Sequence, residues 1–299
     1  MKLPGRFRQK EQPVTSGRRT VPGLFLLGAA GLFLLSLLTG IYLFFPAETL
    51  KQRISREAAM RAKVDLQIES LSLSPLLTFD ADRLSVTAEE LPWPLEIEAL
   101  KIAPAWMTWF SGDPGIRLEA RLMGGTVTSS LRKSGTVSAQ AADLSFDLPI
   151  RDPLTFRIAG TLVAADLDTQ TRLDRETPTR ISLRLNQVKV IGLDLSGAGG
   201  TDINLGEITL LVSGQGRDMQ IDSLSAKGGD FDVEGDGAVI IGRTATASRL
   251  RITLRVRPGP RLDPDIASLL ELAGKPGPDG RYLLQVTGSL VKPSLKIGG

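Results

Sequence analysis

Val64-Asp65-Leu66-Gln67-Ile68-Glu69-Ser70-Leu71-Ser72-Leu73 is the stretch that decides the reading of this chain. Apolar and polar residues alternate from Val64 to Ile68, the period of a strand with one buried face. The alternation slips by one residue at Glu69-Ser70, which reads as a β-bulge, and resumes at Leu71 and Leu73. Pro75 ends the strand.

Outward from there the same pattern recurs. Residues 79–87 and 95–103 form two further strands. Strands then follow about every ten residues: 116–123, 126–132, 136–148, 154–164, 180–190, 203–213, 219–226, 231–240 and 245–256. Turns such as Asp113-Pro114-Gly115, Lys133-Ser134-Gly135 and Gly214-Gln215-Gly216 separate them. A strand at 281–290 and a short one at 294–297 close the chain. Even spacing with little helical pattern between predicts a mainly β, antiparallel body. The charged stretch 166–180 reads as a long hairpin loop inside it.

Three short helices interrupt the strands. Residues 46–63 carry Leu50, Ile54 and Ala58 at four-residue spacing among charges. Capping the end of the sheet is the preferred role for this helix, over lying on a membrane surface. Residues 104–110, rich in Trp, form a short helix or packed loop. The third helix covers 263–273, with Ile266, Leu269, Leu270 and Leu272. Gly124-Gly125-Thr126-Val127 echoes Gly228-Gly229-Asp230-Phe231, and Gly160-Thr161-Leu162-Val163 echoes Gly288-Ser289-Leu290-Val291. Such echoes suggest duplicated β units.

Before the β body, residues 24–45 contain no charge. At about 1.5 Å per residue the segment reaches roughly 33 Å, enough for a hydrocarbon core of about 30 Å. Leu24, Leu27, Leu32, Leu35, Leu38, Ile41, Phe44 and Phe45 are its candidate membrane-anchoring residues. A cleaved signal peptide is the rival reading. The apolar stretch is longer than a signal's about 7–15 residues, and no A-x-A pattern lies near Phe45-Pro46-Ala47. Lys2, Arg6, Arg8, Lys10, Arg18 and Arg19 precede it, against Glu11 alone. The net charge is +3 overall, so the tail's +5 leaves 3 − 5 = −2 for the rest. Positive charge before the segment predicts a cytoplasmic N-terminus and an outer body. The expected organisation is a basic tail (1–20), a single transmembrane helix (21–45) and a β-rich domain (46–299).

Chemistry is excluded class by class. The chain has 299 residues with no Cys and no His, which removes disulfides, thiolate nucleophiles, imidazole bases and the usual zinc and haem ligands. Walker A, G-x-G-x-x-G and G-x-S-x-G patterns are missing from it. Ser130-Leu131-Arg132-Lys133 and Ser289-Leu290-Val291-Lys292 match S-x-x-K. In strands, residues three apart point to opposite faces, so Lys cannot reach Ser. Asp230, Asp232, Glu234 and Asp236 share one strand face. A Ca²⁺ site is conceivable there, but a solvated face opposite Phe231 and Val233 is the preferred reading. Trp93, Trp106 and Trp109 could form a nucleic-acid stacking platform, but, without a basic surround, core or membrane-proximal packing is the preferred reading. The expectation is a non-enzyme with no cofactor and no metal. It would take neither nucleic acid nor a small-molecule substrate.

Strands with one apolar face and few helices leave two solutions: sheets packed as a sandwich, or one sheet curled into a groove. The order of parts bears on the choice. Phe45-Pro46-Ala47-Glu48-Thr49-Leu50-Lys51-Gln52-Arg53-Ile54 leads into the quoted strand, then Ala81-Asp82-Arg83-Leu84-Ser85-Val86. Together with the ending Leu284-Gln285-Val286-Thr287-Gly288-Ser289-Leu290-Val291-Lys292-Pro293-Ser294-Leu295, this resembles AsmA-like proteins. In length, and in Pro104-Ala105-Trp106, Gly112-Asp113-Pro114-Gly115 and Leu122-Met123-Gly124-Gly125, the chain is similar to the type II secretion system protein N (GspN) family.

The resemblance implies an extended antiparallel curled sheet, the AsmA-like β-groove, on a periplasmic domain anchored in the inner membrane. It implies a non-catalytic accessory role in type II protein secretion, or lipid binding and transfer through an apolar groove. Val64, Leu66, Ile68, Leu71, Leu73, Leu84 and Val86 would line that groove. Membrane lipids and other secretion-system proteins would be the partners.

Overall fold

The alternation carries into the structure, a computed structural model. It describes residues 32, 33, 36, 37, 39, 40, 42, 45–74, 76–88, 94–150, 156–172, 176–193, 200–242, 244, 246–289 and 293–298. The chain separates into two units, Met1–Phe45 and Pro46–Gly299.

In the first unit, Leu32, Phe33, Ser36, Leu37, Thr39, Gly40 and Tyr42 are helical. Leu32 and Phe33 are exposed. Phe45 follows the helical residues. Leu24, Leu27, Leu35, Leu38, Ile41 and Phe44, also expected to anchor the chain, lie outside the described residues, as does the basic tail. Among the described residues, no helix is long and apolar enough to cross a membrane.

The second unit opens with helix α1 (Ala47–Ala62) and continues into strands β1 (Val64–Leu73), β2 (Phe79–Ala88) and β3 (Leu95–Pro104). Helix α2 (Trp106–Phe110) follows, then β4 (Gly115–Leu122), β5 (Gly125–Arg132), β6 (Thr136–Ile150) and β7 (Phe156–Gln170). Next come β8 (Pro178–Leu193), β9 (Thr201–Gln215), β10 (Asp218–Lys227), β11 (Phe231–Ile240) and β12 (Arg249–Pro258). Helix α3 (Pro264–Ala273), β13 (Tyr282–Ser289) and β14 (Pro293–Gly298) complete the unit. All fourteen strands form one antiparallel sheet in strict sequence order, each pairing with the next.

Two boundaries differ from expectation. The supposed loop 166–180 is mostly strand. β7 runs to Gln170 and β8 starts at Pro178. The charges at Asp166 and Asp168 occupy the polar face of a long strand, where solvation costs nothing. The strand expected from 245 begins instead at Arg249. Thr244 holds a turn there: its carbonyl accepts from the Ser248 N–H at 3.1 Å and from Ser248 Oγ at 3.0 Å.

Helix α1 lies along β1. Lys51 Nζ donates to the Glu69 carbonyl at 2.9 Å, and Ser55 Oγ to the Leu66 carbonyl at 2.7 Å. These are main-chain acceptors of the first strand, so the helix blunts an edge that would otherwise template further pairing. The packed side of the helix is rotated from the expected stripe. Leu50 and Ala58 are half-buried, but Ile54 is exposed, and Lys51 and Ser55 face the strand in its place. Lys63, at φ 55, then reverses the chain directly into β1.

The slip at Glu69 is present, but it is not the expected β-bulge, because both strands skip one residue and the register between them is kept. Ile68 pairs Leu84 and Ser70 pairs Asp82, so Glu69 and Arg83 both drop out of the ladder. Arg83 takes φ 46, and its guanidinium meets Glu69 at 3.2 Å. In β3 the register shifts at the corresponding place, between Ile97 and Ala99. Burial changes phase in step, from Ile68 to Leu71, from Leu84 to Ala81 and from Ile97 to Leu100. A second line of irregularities crosses the long strands. It includes Asp143 at φ 58, Gln187 at φ 52 and Gly206 at φ 69.

The first glycine echo is also geometric. Gly124 (φ 76) and Gly228 (φ 78) both turn hairpins in the left-handed region, in open space. A Cβ on either following glycine would strike a neighbouring strand's carbonyl, that of Ala142 for Gly125 and of Asn204 for Gly229. The second echo does not hold. Gly160 sits mid-strand under Phe146, whose Cζ would lie 2.9 Å from an added Cβ, whereas Gly288 lies near the end of β13.

Candidate functional site

One row of paired residues runs across the entire sheet. Leu71 pairs Ala81, which pairs Leu100, then Ala120, Val127, Ala141 and Ala165. The row continues through Leu183, Leu210, Leu224, Gly235, Leu254 and Leu284 to Ile297. Fourteen strands contribute fourteen residues, and none carries a polar side chain. At about 4.8 Å per strand, the row extends roughly 62 Å along the sheet. Irregular positions at which the strands change phase make this possible. Without the phase changes at Glu69, Arg83 and Asp143, the far half of each strand would present its apolar residues to the opposite side.

All seven residues expected to line a groove sit on this face. Val64, Leu66, Ile68, Leu71 and Leu73 point to one side of β1, and Leu84 and Val86 of β2 pair with Ile68 and Leu66. Sequence reading stopped after two strands. It missed the continuation over β3 to β14, although the signal was the same alternation. The residues carrying most of the packing lie there: Val212, Met219 and Ile221, with Ile181, Leu210, Leu224, Val239, Ile241 and Ile252 against them.

The face is only partly covered. No side chain among the described residues is completely enclosed. Ile116, Leu131 and Leu295 on this side are 46%, 38% and 58% exposed. An exposed apolar expanse of this extent marks an interaction surface in a folded protein. Two of its hydroxyls are paired with each other. Thr169 and Thr179, opposite each other on β7 and β8, share a hydrogen bond of 2.8 Å. No buried side-chain polar atom among the described residues lacks a partner.

The reverse face is polar and internally paired. Gln140 Nε2 and Ser182 Oγ both donate to Asp166, at 3.0 and 3.2 Å. Arg157 binds Asp147 through two nitrogens, and this hydrogen bonding holds the Asp147 carboxyl below the usual carboxylate range. The acidic run on β11 is matched by arginines: Arg255 to Asp236 at 3.1 Å and Arg281 to Glu234 at 2.7 Å. Asp230 instead accepts the Asn204 N–H at 2.6 Å in a turn. Among the described residues, no group of three carboxylates could hold a metal ion.

A depression of about 860 Å³ opens mainly on the polar face, lined by Thr136, Asp168, Arg180, Ser213, Gln220 and Ala238 among others. Asp168 and Arg180 face each other in register across β7 and β8. Opposite charges in register on a solvated strip do not make an acid–base pair. Ser130 shares a hydrogen bond of 2.8 Å with Ser138, and Lys133 lies in the following turn, so the first S-x-x-K match is a strand and its hairpin. The second ends at Lys292, outside the described residues.

No protein-family model, curated protein or solved structure matches the chain.

Proposed function

We propose that this protein binds acyl chains along the apolar face of its sheet, as a non-catalytic periplasmic module anchored in the inner membrane with its N-terminus in the cytoplasm. The sheet curls around the bound chains as the AsmA-like groove does. The observation that supports this is the unbroken apolar row from Leu71 to Ile297. Each methylene of a chain laid on it stabilises the complex by about 0.8 kcal/mol through burial. A face whose central row has no charged or polar side chain matches hydrocarbon.

The test is lipid analysis of the full chain extracted in mild detergent. Bound phospholipid is expected, with at least a fivefold loss in Leu183→Asn/Leu210→Asn. The control Ser182→Asn/Thr209→Asn, one residue away on the opposite face, should retain it. Equal lipid content in the two double variants, or none in the parent, would rule the reading out. Displacement of a fluorescent fatty acid gives a second readout on the same variants.

A second reading is an accessory of type II secretion. Its support is the resemblance at Pro104-Ala105-Trp106 and Gly112-Asp113-Pro114-Gly115, which the fold places in one connection, between β3 and β4. The same apolar face and the exposed side chains of α2 would then seat other secretion-system proteins. Crosslinked pull-downs from native membranes that never recover a secretion component count against it.

A further inference from the structure

The sheet is a meander, so its connections alternate between two ends. The connection from β1 to β2, helix α2 and the turn 133–135 share one end. Among the described residues, several exposed apolar side chains are grouped at that end. Leu76 is 72% exposed, Met107 84% and Phe110 91%, beside Trp106 and Trp109. At the opposite end, among the described residues, Met60 and Leu272 protrude from separate helices.

Helix α2 buries none of its residues. Its form is held by other means. The Ala105 N–H donates to the Gly115 carbonyl at 2.9 Å, closing the base of the loop. Thr108 Oγ donates to the Ala105 carbonyl at 2.7 Å. The two indole rings are in tilted contact, 5.5 Å between centroids. The result is a braced knob with its apolar side chains outward, unsupported by any core.

Two further facts indicate what covers it. The chain enters this unit at Pro46, and α1 runs antiparallel to β1, with Lys51 beside Glu69 and Ser55 beside Leu66. The start of α1 is therefore level with the end of β1, the same end as α2. The uncharged segment 24–45 joins the unit there. Cations also flank the knob. The Lys133 N–H donates to the Pro114 carbonyl at 2.8 Å, which sets Arg132 and Lys133 beside the α2 loop. The nearby Asp113 carboxylate is engaged by the Ser134 N–H and Oγ at 2.9 and 3.0 Å.

We infer that α2 is a wedge that inserts Met107, Trp109 and Phe110 into the interfacial layer of an anionic lipid bilayer. Amphipathic indoles favour that layer, and cations beside them meet anionic head groups. The inference stands on α2 and not on acyl-chain loading of the sheet face, and it concerns a separate surface.

The experiment uses the full chain with Trp93→Phe, which leaves two of the three tryptophans, Trp106 and Trp109. It is reconstituted into phosphatidylcholine–phosphatidylglycerol vesicles with brominated acyl chains. Emission at least twofold below that in unbrominated vesicles is expected. In Met107→Asp/Phe110→Asp, where both replaced side chains are already exposed, the quenching should disappear. Loss of quenching there with lipid still bound to the protein separates the wedge from sheet-face loading. Emission unchanged by bromine, as a protein partner on α2 would give, overturns the inference. So does quenching that persists in the double variant. If Trp93→Phe does not fold, the same parent-minus-variant difference is read without it.

Discussion

Two rows of the sheet lie one residue apart and share almost nothing. The first, Leu71 to Ile297, is apolar over fourteen strands. The second runs Ser72, Asp80, Lys101, Glu119, Thr128, Gln140, Asp166 and Ser182, and meets its first apolar residue only at Leu211. Both rows have the same backbone and the same neighbours. Side-chain chemistry alone makes one a partly covered apolar face and the other a polar face with several side-chain hydrogen bonds. Burial therefore drives this fold from one side, and substitutions should be felt according to side rather than position along the chain.

The sharpest contrast is at β10. Ile221→Asp places a charge at a position 5% exposed and should cost on the order of 4 kcal/mol, enough to lose cooperative unfolding. Gln220→Asp, its neighbour on the polar side, should stay within about 0.5 kcal/mol. Urea titration of the full chain in detergent measures both. Equal sensitivity at the two positions would abolish the distinction between the faces.

The left-handed positions that keep the rows apart come next. Asp143 sits at φ 58, where a β-branched residue is strained. Asp143→Val should lose about 1–2 kcal/mol, whereas Asp143→Gly should not. Matching unfolding midpoints for the two variants would show that left-handed backbone is not what turns the strand over.

On the polar side the effects shrink. Arg281→Ala removes the 2.7 Å pair with Glu234, and about 0.5 kcal/mol is expected, vanishing in roughly 1 M salt. An effect that survives high salt would point to packing by the arginine stem instead. Smallest is Asp147→Asn. Arg157 lowers the Asp147 carboxyl in the folded state through their hydrogen bond. Its stabilisation is thus present above the ordinary carboxylate range and lost as pH falls through the lowered folded value. Parent and variant should differ slightly at neutral pH and converge in strong acid. A gap that widens with acidification would reverse the assigned sign.

Much of this architecture was legible in the alternation, and its failures are instructive. Asp166 and Asp168 suggested a loop because charge density was taken for solvent-exposed chain, when one solvated strand face accommodates the same residues. Ile54 suggested an apolar stripe on α1. There the free carbonyls of the β1 edge outrank a single aliphatic contact, and Lys51 and Ser55 turn inward to reach them. The slip at Glu69-Ser70 was readable since it breaks a clean period of two. Asp143 was not, because Ala139, Ala141 and Ala142 around it blur which residues are apolar by design. Single-strand patterns also hold no information on how far a face continues. That is a property of register, and it decided the candidate site here.

The strict sequence order of the strands has a kinetic side. Every strand pairs with the one made just before it, so no segment waits for a distant partner and loop-closure costs stay small. Such a chain can zip from β1 to β14 as it emerges, hairpin by hairpin. With α1 already seated on the first edge, the growing sheet would expose one reactive edge at a time instead of two.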